Sequence, residues 1–248
     1  MNEISEISIK PINKPRAVKN YKHLLENKII AMVPVRAGST RVLNKNTRKF
    51  ANTSLLDLKL KVLKKVQGIN QIIVSTDCEI AAEIANKQNV KIQWRNNYHA
   101  GSNITNDQHW LHIAKTTPGD IVFLAQVTSP LLRVSSIQNA LNFYLNSNIH
   151  DSLNSVTVEK KFLWKDMKPI NYNINQTPKS QDLPNIVSLN FAITIIKKQV
   201  MIKRKNVIGF NPSFFELDKV ESLDIDDLID FNIAELMYQK LGNKWLLS

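Results

Sequence analysis

The chain has 248 residues, 43% of them hydrophobic, with 6 Gly, 9 Pro and no low-complexity tract; this excludes a linker or disordered tail and fits one α/β domain with at most a small appendage. A formal charge of +12 with a single cysteine excludes a disulfide framework and a thiolate metal cluster, and leaves nucleic-acid or membrane phosphate and small acidic substrates as competing partners for the charge. Apolar runs such as Ile29–Val35 fall far short of the roughly 20 residues that cross a bilayer, and the N-terminus carries no apolar leader, so a cytoplasmic protein without membrane contact is expected.

Residues 1–28 carry Lys10, Lys14, Arg16, Lys19, Lys22 and Lys28 with little hydrophobic periodicity, and read as a basic extension outside a core of 29–248. Ile29–Val35 predicts a buried strand that breaks into Arg36-Ala-Gly-Ser-Thr-Arg-Val-Leu-Asn-Lys-Asn46, a small-residue turn with cationic and amide side chains suited to polyphosphate. Gly38 and Ser39 have the spacing of neither the Walker motif nor the dinucleotide fingerprint, so capping of the next helix is the plain alternative. A helix over 55–65, a strand Gln71–Ser75 ending in Thr76-Asp77, a helix over 79–88 and a short strand Val90–Trp94 follow. This βαβαβ order predicts a parallel sheet with right-handed crossovers. Cys78 reads as a packing residue.

A polar loop over 96–106 leads to a helix near 107–115, where His109 and His112 read as helix-face residues because no third zinc ligand is in range. The next strand, Ile121–Ala125, stops at Gln126-Val-Thr-Ser-Pro-Leu-Leu-Arg133. Ligands of open α/β sheets bind at the carboxyl ends of strands, and Arg36, Asp77 and Gln126 all stand at such ends, facing one crevice. The stretch 150–188 breaks the rhythm with a strand near Val156–Val158, Phe162, Trp164 and three prolines, and reads as an arm or flap. A strand Ser188–Ile196, a basic segment, a strand Val220–Asp226 and a closing helix Asp230–Leu241 complete the chain. Strand alternation points Asp224 and Asp226 to one side, as a hard cation requires, with a solvated turn as the alternative. The scattered lysines, Lys59, Lys61, Lys64 and Lys65 among them, read as solvated surface, and Trp94, Trp110, Trp164 and Trp245 as core or interface residues.

Five segments in order, 30–46, Ile72-Ile-Val-Ser-Thr-Asp77, Leu124-Ala-Gln-Val-Thr-Ser-Pro-Leu-Leu-Arg133, Ser180-Gln-Asp-Leu-Pro184 and Glu221–Glu235, together resemble the cytidylyltransferases that activate acidic nine- and eight-carbon sugars, above all the CMP-N-acylneuraminate synthetases. The resemblance covers nearly the whole chain from Ile29. It implies a Rossmann-like nucleotide-diphospho-sugar transferase fold of the α/β class, with a mainly parallel sheet, helices on both faces and a small dimerisation arm. It also implies CTP and an acidic sugar as partners, Mg2+ as cofactor, a homodimer, and a place in making CMP-sugars for cell-surface polysaccharide.

Carried onto this sequence, the resemblance puts Arg36 and Lys45 on the CTP phosphates, with Ala37, Gly38, Ser39 and Asn46 shaping the loop. Arg95 and the Ala100–Thr105 loop, including Ser102, match the cytidine side. Gln126, Thr128 and Ser129 face the sugar, joined by Lys179, Gln181 and Asn190, while Asp224 and Asp226 match the metal ligands and Asp224 also helps deprotonate the acceptor. Two departures bear on the acceptor. Lys179-Ser180 stands where the relatives carry an Arg pair, and a lysine is not a bidentate carboxylate clamp. Phe191 follows Asn190 where they carry Gly, and its bulk would crowd a nine-carbon tail. An acceptor other than ordinary sialic acid is therefore expected, such as legionaminic acid, pseudaminic acid or an eight-carbon ulosonate. A CTP-binding module without turnover, and a nucleic-acid protein acting through residues 1–28, stand as the competing readings.

Overall fold

Alternate residues of the first strand belong to different cores. In β1 (Ile29–Val35), Ile29, Ala31, Val33 and Val35 join one apolar cluster, whereas Ile30 and Met32 join a second. A strand covered on both faces belongs in the middle of a parallel sheet. The computed structural model describes residues 27–101 and 104–248, so the basic extension lies almost wholly outside the described residues.

From β1 the chain runs through α1 (Leu55–Leu63), β2 (Gln71–Thr76), α2 (Glu79–Lys87), β3 (Lys91–Trp94), α3 (Asn97–Ala100), α4 (Asn106–Thr116) and β4 (Ile121–Leu124). It continues with α5 (Val134–Leu145), β5 (Ser152–Glu159), the two-residue strands β6 (Trp164–Lys165) and β7 (Lys168–Pro169), β8 (Ile186–Lys197), α6 (Lys198–Arg204), β9 (Pro212–Glu216) and α7 (Leu228–Leu246). Seven strands form one sheet in the order β3-β2-β1-β4-β8-β5-β9, and every neighbour is parallel except the two pairs made by β8. Helices α1, α2, α5 and α7 contribute to the first cluster and α4 and α6 to the second, so helices cover both faces. No helix among the described residues is long and apolar enough to cross a membrane.

Two expectations need correction. The segment 220–226 is a turn followed by extended chain outside the sheet, and the seventh strand is instead β9, which pairs in parallel with β5. The reason is burial on one side only: Ile225 is fully buried while Asp224 and Asp226 are exposed, and that alternation mimics a strand without ladder partners. The presumed arm also begins later than 150, because β5 lies inside the main sheet between β8 and β9. What lies outside the sheet is the β6–β7 hairpin and two 3₁₀ turns, Ile174–Gln176 and Ser180–Asp182.

Helix ends are set by local chemistry. Ser54 caps α1 by accepting from the Asp57 amide, Thr105 and Gln108 form a capping box on α4, and Asp227 with Asp230 forms one on α7. The entry to β4 depends on a missing side chain: a Cβ on Gly119 would come within 2.5 Å of the Lys28 carbonyl oxygen and of Ile30 Cγ1. Gly119→Ala should therefore lower stability by about 1–3 kcal/mol, read as a lower urea midpoint with an unchanged slope; an unchanged midpoint would show that β1 and β4 give way freely.

Candidate active site

Four parallel strand ends meet at one edge of the sheet, and a buried arginine ties three of them together. Arg95, the first residue after β3, is 6% exposed. Its amide donates to the Thr76 carbonyl at 2.8 Å, its Nη2 donates to the Val35 carbonyl at 2.8 Å, and it lies 3.8 Å from the Asp77 carboxylate. Asp77 in turn accepts from the Ala37 amide at 2.9 Å, fixing the start of the turn that follows β1. Gly38 makes the bend with φ +72°, a conformation that favours glycine, and nothing lies within 4 Å of where its Cβ would stand. The chain then coils back, with Lys45 N donating to the Val42 carbonyl and Arg48 N to the Asn44 carbonyl.

The acid pair docks onto this turn from the far end of the sequence. Ile225 donates its amide to the Thr128 carbonyl at 2.9 Å and accepts on its own carbonyl from Lys45 Nζ. Asp224 lies beside Thr128, and Asp226 pairs with Arg41 at 2.9 Å on an exposed surface. The α7 capping box holds the segment in place, since Asp230 accepts from the amides of both Asp226 and Asp227.

Of the residues singled out from sequence, Arg36, Ser39, Lys45, Asn46, Arg95, Gln126 and Thr128 line one open cleft. Asn46 is 9% exposed, and its Oδ1, like the Nε of Arg95, is buried without a partner in that cleft. Both atoms are closed off from solvent, behind the cleft surface. Other residues fall elsewhere. Ser129 is buried at 1% exposure below the cleft lining. Lys179 and Gln181 are exposed around the second 3₁₀ turn and do not line the cleft. Asn190 is engaged in the sheet, where its amide bonds Ser155, Thr157 and the Ala192 amide at the bulge between β8 and β5. Ser102 lies outside the described residues.

A parallel sheet with this strand-end cleft is shared by many nucleotide-binding proteins, and the comparisons decide among them. The family described as "Cytidylyltransferase" matches residues 30–237. This chain belongs to the cytidylyltransferase family. It is 26% identical to the N-acylneuraminate cytidylyltransferase of Escherichia coli O18:K1:H7, the match covering 87% of this chain and 53% of that protein. It is also 26% identical to the CMP-N,N'-diacetyllegionaminic acid synthase of Legionella pneumophila, over 86% of this chain and 97% of that one. The chain thus spans about half of the first relative and nearly all of the second. Among solved structures, the CMP:2-keto-3-deoxy-manno-octonic acid synthetase complexed with CTP superposes with a TM-score of 0.63 at 12% identity, covering 86% of this chain and 100% of that one, and so shares the fold.

This cytidylyltransferase concentrates positive charge along the cleft, which Arg36, Arg41, Lys45 and Arg95 all line. Burial pulls the Lys45 ammonium down, and Asp224 and Asp226 oppose it. Burial likewise lowers Arg95, with Asp77 opposing and Arg36 adding to the fall. His109 lines the same cleft and is driven down to about 4, first by burial and then by Arg95, so its imidazole is neutral at pH 7. Burial and the neighbouring Asp226 raise Asp224, while Thr128 and Lys45 oppose the rise. Two carboxylates on one side of a buried Ile225, repelling each other and offering only oxygen, fit a hard divalent cation. No group of three or more His, Cys, Asp or Glu converges among the described residues; Mg2+ would take its other ligands from water and phosphate oxygens.

Sequence reasoning missed three contributors. His109 and Trp110, read as packing residues, line the cleft; His112 stacks on His99 instead, ring centroids 3.8 Å apart. Trp94 is exposed at 58%. Lys59, read as surface, is 3% exposed on an α1 buried almost all round, and its Nζ donates to the Ser129 carbonyl at 2.8 Å. The only hint was that Lys59 interrupts a run of leucines. Burial drives the Lys59 amine from 10.5 to about 7, with Asp224 and Glu221 opposing. Between those values the unfolded chain binds a proton the native chain has released, so stability should rise as pH climbs from about 7 to 10.5. Urea midpoints taken across that range should rise for the native chain more steeply than for Lys59→Met; equal slopes would mean that the amine titrates normally.

Proposed function

We propose that this cytidylyltransferase moves CMP from CTP to the anomeric hydroxyl of a 3-deoxy-2-ulosonic acid of the sialic-acid-like group, with N-acetylneuraminate not the preferred acceptor. One observation carries the reading: Ile225 joins the phosphate turn, through Lys45, to the Thr128 turn, with an acid on either side of it. The parts needed for phosphoryl chemistry are thereby neighbours.

In the proposed reaction the anomeric oxygen forms a bond to the α-phosphorus while the bond from that phosphorus to the pyrophosphate oxygen breaks. Arg36 and Lys45 take up the charge growing on the phosphate oxygens, with Arg95 and Asn46 lining the cleft beside them. Asp224, beside Thr128, accepts the hydroxyl proton. Mg2+ held by Asp224 and Asp226 would neutralise phosphate charge and orient the pyrophosphate for departure. The names of two relatives, one acting on N-acylneuraminate and one on a diacetylated legionaminic acid, support an acidic nine-carbon acceptor. The sequence departures at Lys179-Ser180 and Phe191 are what favour an acceptor other than sialic acid; the Phe191 ring itself does not line the cleft. Phe191 is held at φ +53°, a left-handed conformation that costs a bulky residue on the order of 1 kcal/mol, and its ring packs against the second apolar cluster.

The first experiment is pyrophosphate release with CTP and Mg2+ over a panel of 3-deoxy-2-ulosonic acids. Release should be fastest with an acid other than N-acetylneuraminate, and Asp226→Asn should slow it about 100-fold or more. CTP binding with no release from any acid would instead support a module without turnover.

The assembly is proposed to be a homodimer formed through the β6–β7 hairpin and the turn after it, which expose Trp164 at 48%, Met167 at 88%, Ile170 at 57% and Ile174 at 56%. Light scattering should give twice the chain mass, and Met167→Asp with Ile170→Asp should return the monomer; a native monomer at all concentrations would end this reading.

A further inference from the structure

The mechanism above leaves one buried charge without a task. Lys59 stands in a helix whose other inward residues are apolar, where a leucine would pack without the desolvation cost of an amine. Its amine reaches the Ser129 carbonyl, and neither residue lines the cleft. We propose that Lys59 is a positioning residue for the acceptor: its bond to Ser129 holds the turn that presents Gln126 and Thr128 to the sugar acid. The inference rests on the reading of this cleft as a cytidylyl-transfer site.

The backbone of 126–133 belongs to no helix or strand, and groups from distant elements restrain it. The Thr128 carbonyl accepts from the Ile225 amide, the Leu131 carbonyl from Trp245 Nε1 at 2.9 Å, and the Arg133 amide donates to Glu221 at 2.9 Å. Glu221, fully buried, also binds Arg133 Nη2 at 2.7 Å and Ser136 Oγ at 2.8 Å. Lys59 supplies the restraint at Ser129, between Thr128 and Leu131, and it is the one that comes from α1. Asp224 and the buried Glu221 both favour the charged form of the Lys59 amine against its burial. The bond to Ser129 survives in either charge state, because a neutral amine keeps two N–H groups. Lys59 itself makes no hydrogen bond to Arg36, Asn46 or Arg95; its own hydrogen bond goes to the acceptor turn.

The test separates acceptor kinetics from nucleotide binding, using the full chain and the best acid of the panel. For Lys59→Met, kcat/KM for the acid should fall about tenfold or more, while CTP affinity without acceptor stays within about twofold. Lys59→Arg, which keeps a donor, should recover part of the loss. A purely structural role would leave a folded Lys59→Met unchanged in both, and that result, or an equal loss of CTP affinity, overturns the proposal. If Lys59→Met does not fold, Lys59→Arg decides alone: a changed acceptor kcat/KM with native CTP affinity supports positioning, and native values for both overturn it. Absence of transfer by the native chain overturns the functional reading and this proposal together, whereas native transfer with an indifferent Lys59→Met overturns this proposal alone.

Discussion

Everything proposed for this cleft depends on one junction, the docking of Ile225 between Thr128 and Lys45. A buried isoleucine side chain anchors it, and its amide and carbonyl are both satisfied by residues of the cleft. The acids on either side are thereby set facing outward near the cationic turn. Leaving either backbone group unpaired in that setting would cost about 1–3 kcal/mol, so the extended segment holds its place without sheet partners. The capping box at Asp227 and Asp230 then starts α7 at once, so the acid pair has a docked residue at its centre and a helix after it.

The electrostatics of the cleft follow from that junction. Arg36, Arg41, Lys45 and Arg95 bring positive charge to one concave surface, and the neutral His109 adds none at pH 7. Opposing acids are placed at the margin, where Asp226 meets Arg41, and behind the surface, where Asp77 meets Arg95. Burial works against the charged forms of Lys45 and Arg95, which strengthens their attraction for a polyphosphate able to replace lost water. A chain of +12 has long-range attraction for any anion; the cations converging on this cleft make that attraction local.

The family departures read from sequence have unequal structural consequences. Phe191 sits at a β-bulge with φ +53°, where the side chains of Asn190 and Ser155 accept from the Ala192 and Ile193 amides in place of ladder partners. Lys179 lies exposed beside a 3₁₀ turn and makes no contact with the cleft lining. Its weakness as a clamp matters only if the segment after the β6–β7 hairpin meets the acceptor.

By itself the sequence determined the alternation of strands and helices from β1 to β4, the turn after β1 and the acid pair, because each is a local pattern: apolar period, small residues at a bend, alternation about one buried residue. It misread 220–226 as a strand for the same reason, since alternation reports burial of one side and says nothing about hydrogen-bonded neighbours. Lys59 looked like surface because lysine almost always is; its burial is decided by Ser129, 70 residues away. His109 and Trp110 gained a place in the cleft, and Asn190 lost one, through packing that no local pattern encodes. Only the tertiary structure could decide these, because a side chain's role is set by which distant groups share its space, as Lys45 and Ile225 do across 180 residues.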